Sequence, residues 1–175
     1  MRHDPIDVGL GPREKGLASP GPAAMPRVVD RMTRPAVTVG PDTLAATAWA
    51  TMRNRKIRHL PVVDARDRLI GIVTDRDLRR IVVDSEDLEE LARTLRRVTV
   101  GGAMTARVVT VRPETEIHQA AHLMRAHRIG ALPVVVGDSV IGVLTRTDVV
   151  AALLDVLEPA FAVEAAPRTA PGGRR

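Results

Sequence analysis

Two stretches decide how this chain is read: Gly71-Ile72-Val73-Thr74-Asp75-Arg76-Asp77 and Gly142-Val143-Leu144-Thr145-Arg146-Thr147-Asp148. In each, a short aliphatic run ends in a threonine, and a carboxylate follows three residues later. The run predicts a strand, and Thr-x-x-Asp predicts the start of a helix. A strand feeding directly into a helix leaves backbone N–H groups unpaired at the junction, which favours an anion there. Thr74 and Thr145 add a hydroxyl at that point. Asp77 and Asp148, about one turn in, can accept both hydroxyls of a ribose, as acidic residues do in other nucleotide-binding folds. The same spacing is also a capping box that needs no ligand. The two roles are compatible, because a cap can be recruited by a ligand.

Working outward from these stretches, the whole surrounding pattern proves to be duplicated. Met32-Thr33 recurs 72 residues later as Met104-Thr105. At the same offset, Val37-Thr38-Val39 recurs as Val109-Thr110-Val111, Pro41 as Pro113, and Met52-Arg53 as Met124-Arg125. Ile57 likewise recurs as Ile129, and Leu60-Pro61-Val62-Val63 as Leu132-Pro133-Val134-Val135. The offset shortens to 71 at Gly71 and Gly142, so one residue was lost in the intervening turn. Two copies imply a pseudo-symmetric pair; a solenoid needs about three or more.

Each copy reads β-α-β-β-α. An extended piece comes first (Ala36 to Val39; Val108 to Val111), followed by helix start signals at Pro41-Asp42-Thr43 and Pro113-Glu114-Thr115. Ala45, Ala48 and Met52, like Ile117, Ala120 and Met124, form a core-facing helical stripe. Two hairpins follow, Leu60 to Val63 with Leu69 to Val73 and Leu132 to Val136 with Val140 to Leu144. A last helix begins at Thr74 or Thr145. One such unit has too small a core to stand alone, whereas two packed sheet to sheet can share one. The expected fold is therefore α+β, two pseudo-symmetric β-α-β-β-α repeats packed sheet to sheet. The expected boundaries are a flexible tail at 1–27, the first repeat at 28–84, a linker helix at 85–99, the second repeat at 100–157 and a second tail at 158–175. Leu88, Leu91, Ala92 and Leu95 form the apolar face of the linker helix, whose acids precede its arginines as the macrodipole favours.

Composition narrows the class of protein. Apolar residues make up 45% of the chain and aromatics only 1%, so the core must be built from Val, Leu, Ile, Ala and Met. There is no cysteine, which excludes disulfides and thiolate metal sites and fits a reducing compartment. No apolar run approaches the ~20 residues of a membrane span, and the first residues lack a secretory h-region, so the expected location is cytoplasmic. The net charge of +5 rests almost wholly on arginine and suits nucleic acid, phosphate-bearing small molecules or a solvated surface.

A second constellation, Lys56-Ile57-Arg58-His59-Leu60-Pro61, places Arg58 and His59 where a loop enters a strand. They can meet phosphate there, arginine through bidentate hydrogen bonds, or simply form a solvated basic turn. The second copy carries Gly130 and Ala131 instead, which predicts two unequal sites.

These residues resemble the cystathionine-β-synthase (CBS) domain, paired as a Bateman module. The similarity rests on the opening Met-Thr, the Ile-x-x-Leu-Pro-Val-Val at the hairpin's start and the hairpin leading to Gly-Ile-Val-Thr-x-x-Asp, twice in register over about residues 28 to 155. It is strongest to small stand-alone CBS-pair proteins. The resemblance implies a cleft with two adenosine sites that takes AMP, ADP, ATP or S-adenosylmethionine as a regulatory ligand, with no obligatory cofactor. Carried over by position, Val37 and Val109 would offer backbone groups to adenine, Thr33 and Thr105 would lie near the base, and Ile57 and Ile129 would pack on it. Asp77 and Asp148 would hold ribose hydroxyls. Thr74, Thr145, Arg58, His59, Arg76 and Thr147 would face phosphates. A homodimer is implied, with a protein partner to receive the signal.

Other features are weaker. His118 and His122 share a helix face at metal-binding spacing, but no carboxylate ligand accompanies them, and both are expected at the surface. Trp49 sits beside the core stripe and is expected to pack. No helix-turn-helix or aromatic platform supports nucleic-acid binding. No nucleophile with a base partner supports catalysis, so the chain is not read as an enzyme. The alternatives are a ligand-free structural dimer or adaptor and, behind it, a nucleic-acid binder.

Overall fold

The structure, a computed structural model, describes residues 25–83, 87, 89, 93–94 and 96–164. Each repeat contributes a helix, a hairpin and a second helix. In the first these are α1 (Ala45–Arg55), β1 (His59–Val63), β2 (Leu69–Thr74) and α2 (Asp75–Val83). A short helix, α3 (Val100–Ala103), leads into the second, which holds α4 (Ile117–His127), β3 (Ala131–Val136), β4 (Ser139–Thr145) and α5 (Arg146–Glu164). A 3-10 turn at Val28–Asp30 opens the first repeat as α3 opens the second.

The turn from helix to hairpin is the same in both copies. Lys56 and Arg128 adopt the left-handed conformation (φ 55° and 54°), and the N–H groups of Ile57 and Ile129 donate to the carbonyls of Met52 and Met124 at 2.9 and 3.0 Å. Such a left-handed C-cap stops the helix and satisfies its last carbonyls. It also throws residues 56–59 and 128–131 to the same end of each sheet. The hairpins are antiparallel, with His59 opposite Thr74 and Ala131 opposite Thr145, and each carries a bulge, at Val62/Val63 and Val134/Val135. The register therefore places the start of the first hairpin strand beside the Thr-x-x-Asp of the second.

Two local expectations are corrected. The leading extended pieces reduce to single parallel bridges, Val39 with Val62 and Val111 with Val134, because a proline-led turn follows two residues after each bridge. The first helices start after Leu44 and Glu116, not at Thr43 and Thr115, and neither N-cap side chain bonds the helix. Their leading amides are satisfied from elsewhere: Ala45 N–H donates to the Val98 carbonyl and Ile117 N–H to the Pro26 carbonyl, both at 2.9 Å.

Those two bonds belong to a reciprocal exchange. The segment leading into each repeat docks on the other. Val28 N–H donates to Thr115 O at 2.8 Å, and Thr33 exchanges two backbone bonds with Val143 at 3.0 Å. Symmetrically, Val100 N–H donates to Thr43 O at 2.7 Å, and Thr105 exchanges bonds with Ile72 at 2.9 and 3.0 Å. The two repeats pack sheet to sheet, each hairpin extended at its edge by the other repeat's Met-Thr segment. The core is consequently two clusters, not one shared pool. Val28 and Met32 join Ile117, Met124, Leu132, Leu144 and Val149 of the second repeat. Val100 joins Met52, Leu60, Val73 and Leu78 of the first, with Trp49 and Met104 packed against them.

The first hairpin turn is closed by Asp64. Its carboxylate accepts hydrogen bonds from Arg66 N–H (2.9 Å), Arg68 N–H (3.0 Å) and the Arg68 guanidinium (2.8 and 2.6 Å). The Arg68 side chain, then its amide, hold the carboxyl pKa down to about 2. A depressed carboxylate stabilises the turn fully above its ordinary pKa of roughly 4, and the contribution is lost as pH falls from there through about 2. A carboxyl NMR titration of Asp64 is expected to give a midpoint near 2; an ordinary aspartate midpoint would contradict the ion pair.

Seven of the fifteen positions of the linker helix expected over 85–99, among them all four of its expected apolar ones, lie outside the described residues, as do the termini at 1–24 and 165–175. Among the described residues no helix is long and apolar enough to cross a membrane.

Candidate functional site

Between the sheets lies a cleft of about 720 Å³, and all fourteen residues expected at the site line it. From the first repeat these are Thr33, Val37, Ile57, Arg58, His59, Thr74, Arg76 and Asp77; from the second, Thr105, Val109, Ile129, Thr145, Thr147 and Asp148. The exchange of leading segments explains part of this gathering. Thr33 borders the cleft because it pairs with Val143, and Thr105 because it pairs with Ile72.

At each strand-to-helix junction the capping box is formed. Thr74 donates to Asp77 Oδ2 from its hydroxyl at 2.7 Å and its N–H at 2.9 Å, and Asp77 N–H returns a bond to the Thr74 hydroxyl at 3.3 Å. Thr145 and Asp148 repeat this with 2.7, 2.7 and 3.4 Å. Both donors converge on one carboxylate oxygen. Oδ1 of Asp77 and of Asp148 accepts no bond from the described residues and keeps its lone pairs for a hydroxyl. The first helical amide is spoken for, since Asp75 N–H donates to Arg58 O at 3.0 Å and Arg146 N–H to Gly130 O at 3.1 Å. Those bonds tie the 58 and 130 loops to the helix starts.

His59 is largely enclosed here. Burial, then the charge of Arg58, push its pKa below the usual imidazole value; Asp75 and Asp77 oppose this, and Arg146 adds to it.

Charged residues at the cleft that sequence reasoning missed are Lys56, Asp75, Arg107, Arg128 and Arg146. Lys56 and Arg128 were detectable, since they occupy equivalent places in the two copies, at the helix ends that turn into the site. Arg146 lies inside the motif itself, at the position of Asp75 in the first copy. Its Nε donates to Ile129 O at 3.1 Å. Arg107 carries no motif signal. Arg107, Arg128 and Arg146 are thus cations that the second repeat contributes to the cleft beside Gly130 and Ala131.

The remaining expectations fall elsewhere. His118 and His122 lie edge to face at 6.4 Å, and among the described residues no group of three metal-ligating side chains exists. His118 Nδ1 is 3.1 Å from Glu116 Oε2 but is not aligned for a hydrogen bond, so the contact is electrostatic at most. A smaller hollow of about 390 Å³ between α4 and α5, mostly apolar in its lining, contains none of the expected residues.

This arrangement, two duplicated units clasped around a cleft edged by paired Thr–Asp junctions, defines a tandem-repeat cleft architecture, and comparison with known proteins gives it its family. The model of the CBS domain matches residues 28–84 and 98–155. A CBS domain-containing protein of Dictyostelium discoideum is 37% identical over 133 residues, covering 73% of this chain and 91% of that protein. A CBS-domain containing protein from Agrobacterium tumefaciens superposes with a TM-score of 0.65 at 32% identity, covering 79% of this chain and 99% of its own. CBSX2 from Arabidopsis thaliana, in its complex with AMP, gives 0.63 at 33% identity, covering 74% and 97%. The chain belongs to the CBS-domain family, as a tandem pair. Other curated relatives are homoserine O-acetyltransferases and an inosine-5'-monophosphate dehydrogenase, of which it spans only 21–23%, so the likeness falls on one part of those proteins.

Proposed function

We propose that this protein is a ligand-sensing module that binds adenosine-containing nucleotides, AMP, ADP, ATP or S-adenosylmethionine, in the cleft between its repeats. The observation that carries the reading is the convergence of all fourteen positions on one cleft whose two Thr–Asp junctions each keep a carboxylate oxygen that accepts no bond from the described residues. The AMP complex of CBSX2, a relative of the same fold, supports the ligand class. Asp77 and Asp148 hold ribose hydroxyls, Val37 and Val109 offer backbone groups to the base, Thr33 and Thr105 lie beside it, and Ile57 and Ile129 pack on it. Thr74, Thr145, Arg58, His59, Arg76 and Thr147 face phosphates. The module has no catalytic role of its own. Binding shifts the balance between arrangements of the clasped repeats and passes that shift to a partner protein. A homodimer fits the exposed apolar stripe on α5, where Val150, Leu154 and Leu157 are 55%, 55% and 46% exposed at helical spacing.

Titration calorimetry with the four ligands is the test. At least one is expected to bind with measurable heat and to raise the melting temperature. Absence of heat and of thermal shift with all four would remove the sensor reading and leave the structural adaptor.

A further inference from the structure

The hollow between α4 and α5 breaks the pseudo-symmetry of the chain, and the first repeat shows how. Its apolar part is formed by Ala121, Val149 and Val150, and Arg125, Arg128 and Arg146 flank it with no carboxylate in the lining. At the places of Ala121, Val149 and Val150 the first repeat has Trp49, Leu78 and Arg79. Trp49 packs there against the core cluster that holds Leu78, and Arg79 closes an ion pair to Asp75 at 2.9 Å. Three smaller side chains therefore stand in the second repeat where an aromatic ring, a leucine and an ion-paired arginine stand in the first. The charge differs as well. Arg146 begins α5, at a helix end where the macrodipole favours an anion and where the first repeat has Asp75. Among the described residues, Arg125, Arg128 and Arg146 form no ion pair with a carboxylate. A vacated aromatic position edged by three such arginines suits an aromatic side chain with carboxylates beside it.

The chain itself carries such a group. It has one tryptophan, one phenylalanine and no tyrosine. Trp49 is packed in the first repeat. Phe161 stands in the acid-flanked run Glu158-Pro159-Ala160-Phe161-Ala162-Val163-Glu164, and α5 runs on past Pro159 to Glu164. A helix holds residues 150 and 161 about 16 Å apart along its axis, so the phenylalanine of a chain does not reach that chain's own hollow. Val150, Leu154 and Leu157 are exposed, and in sequence Phe161 continues their spacing of four, three and four residues, the repeat of a helix-pairing seam. That spacing reads the same in either direction. A second α5, antiparallel and related by a two-fold axis, sets Leu154 against Leu157 and Phe161 against Val150 at the hollow.

We propose that the hollow between α4 and α5 receives the acid-flanked Phe161 segment of a second copy of this chain, and that Arg128 and Arg146 couple this docking to the cleft. Both arginines line the hollow and the cleft alike, whereas Arg125 lines the hollow alone. An anionic ligand in the cleft and the carboxylates of the docked segment compete for the same two guanidinium groups. A ligand of that charge loosens the docked pair, and by linkage docking weakens the ligand by the same factor. The coupling rests on the nucleotide reading above; the docking stands without it.

The test is sedimentation equilibrium of the full chain, alone and with saturating ATP or adenosine, with ligand binding followed by calorimetry. Wild type is expected to dimerise. Ala121→Trp, which puts the first repeat's residue into the hollow, and Phe161→Ala are each expected to weaken the dimer about tenfold or more, the scale of losing a buried anchor. The double variant is expected to lose no more than the weaker-binding single one, as two sides of one contact do. Arg125→Gln is expected to weaken the dimer and leave ATP affinity unchanged. ATP is expected to raise the dimer dissociation constant of wild type about fivefold or more, and adenosine, which carries no phosphate, to leave it in place. A monomeric wild type, or a dimer that stays equally tight in Ala121→Trp and Phe161→Ala, would overturn the docking. ATP binding with an unchanged dimer constant would overturn the coupling. A dimer that both variants weaken, with no binding of ATP or adenosine, would keep the docking and refute the nucleotide reading instead.

Discussion

Gly142→Val is expected to destabilise the protein by about 3 kcal/mol, the upper end of the usual cost of overpacking a tight core, which lowers the melting temperature by roughly 10 °C in a domain of this size. Gly142 is buried where the Met32-Thr33 segment crosses β4. A Cβ there lies 2.7 Å from Met32 Sδ and 3.0 Å from Thr33 O. The sulfur can swing away, but the carbonyl cannot, because it accepts the Val143 N–H at 3.0 Å. Gly71 occupies the equivalent place, where a Cβ meets the Met104 sulfur and comes within 3.2 Å of Thr105 O, and Gly71→Val is expected to cost a similar amount. The mechanism predicts a specific coupling. Adding Met32→Ala to Gly142→Val removes the side-chain part of the clash, so the double variant should be more stable than the sum of the two losses by about 1 kcal/mol or more, as contacting pairs are. Chemical denaturation of the four proteins measures it. Strict additivity, or a Gly142→Val loss below about 0.5 kcal/mol, would mean that the exchanged segment does not sit where it is described.

The second large effect concerns the ligand. Asp77→Ala with Asp148→Ala is expected to abolish nucleotide-induced stabilisation and to weaken binding about 100-fold per half-cleft, the scale of losing hydrogen bonds to a charged acceptor. Each change also removes a capping box, at about 1 kcal/mol per site. The two losses separate experimentally: the cap is lost without ligand, the affinity only with it. Asp→Asn variants sharpen the distinction. The amide oxygen still accepts the Thr74 or Thr145 bonds, so the cap is largely kept, while the charge a ribose would meet is gone. If the nucleotide raises the melting temperature of the double alanine variant as much as that of wild type, the carboxylates are caps and nothing more.

Much of the site was legible before any tertiary contact was known. The repeat offset aligned Thr74 with Thr145 and Asp77 with Asp148, and the helix-start spacing placed each carboxylate one turn beyond its threonine. Both capping boxes formed as that spacing requires. The cations are harder. Lys56 and Arg128 could have been found from the register, but Arg146 replaces an acid, Asp75, so symmetry argued against it. Arg107 reaches the cleft only because its segment crosses to the other repeat. The expected inequality of the two sites rests on Gly130 and Ala131 read along the chain. In space Gly130 adjoins His59, a residue 71 positions away.

The sequence by itself determined the duplication, the helix-hairpin-helix order, the two buried helical stripes and the Thr-x-x-Asp chemistry, because each depends on local periodicity or on side chains three or four residues apart. Only the tertiary structure decided how the copies embrace. No local rule says that Pro26 and Val98 cap helices of the opposite repeat, that Met-Thr pairs with the other hairpin, or that Gly71 and Gly142 lack side chains to let those segments pass. Those are contacts between residues distant along the chain, chosen by which backbone groups and apolar faces remain unsatisfied once each repeat has folded. The same crossing brings two strand-to-helix signatures, read first as separate stretches, to the edges of one cleft.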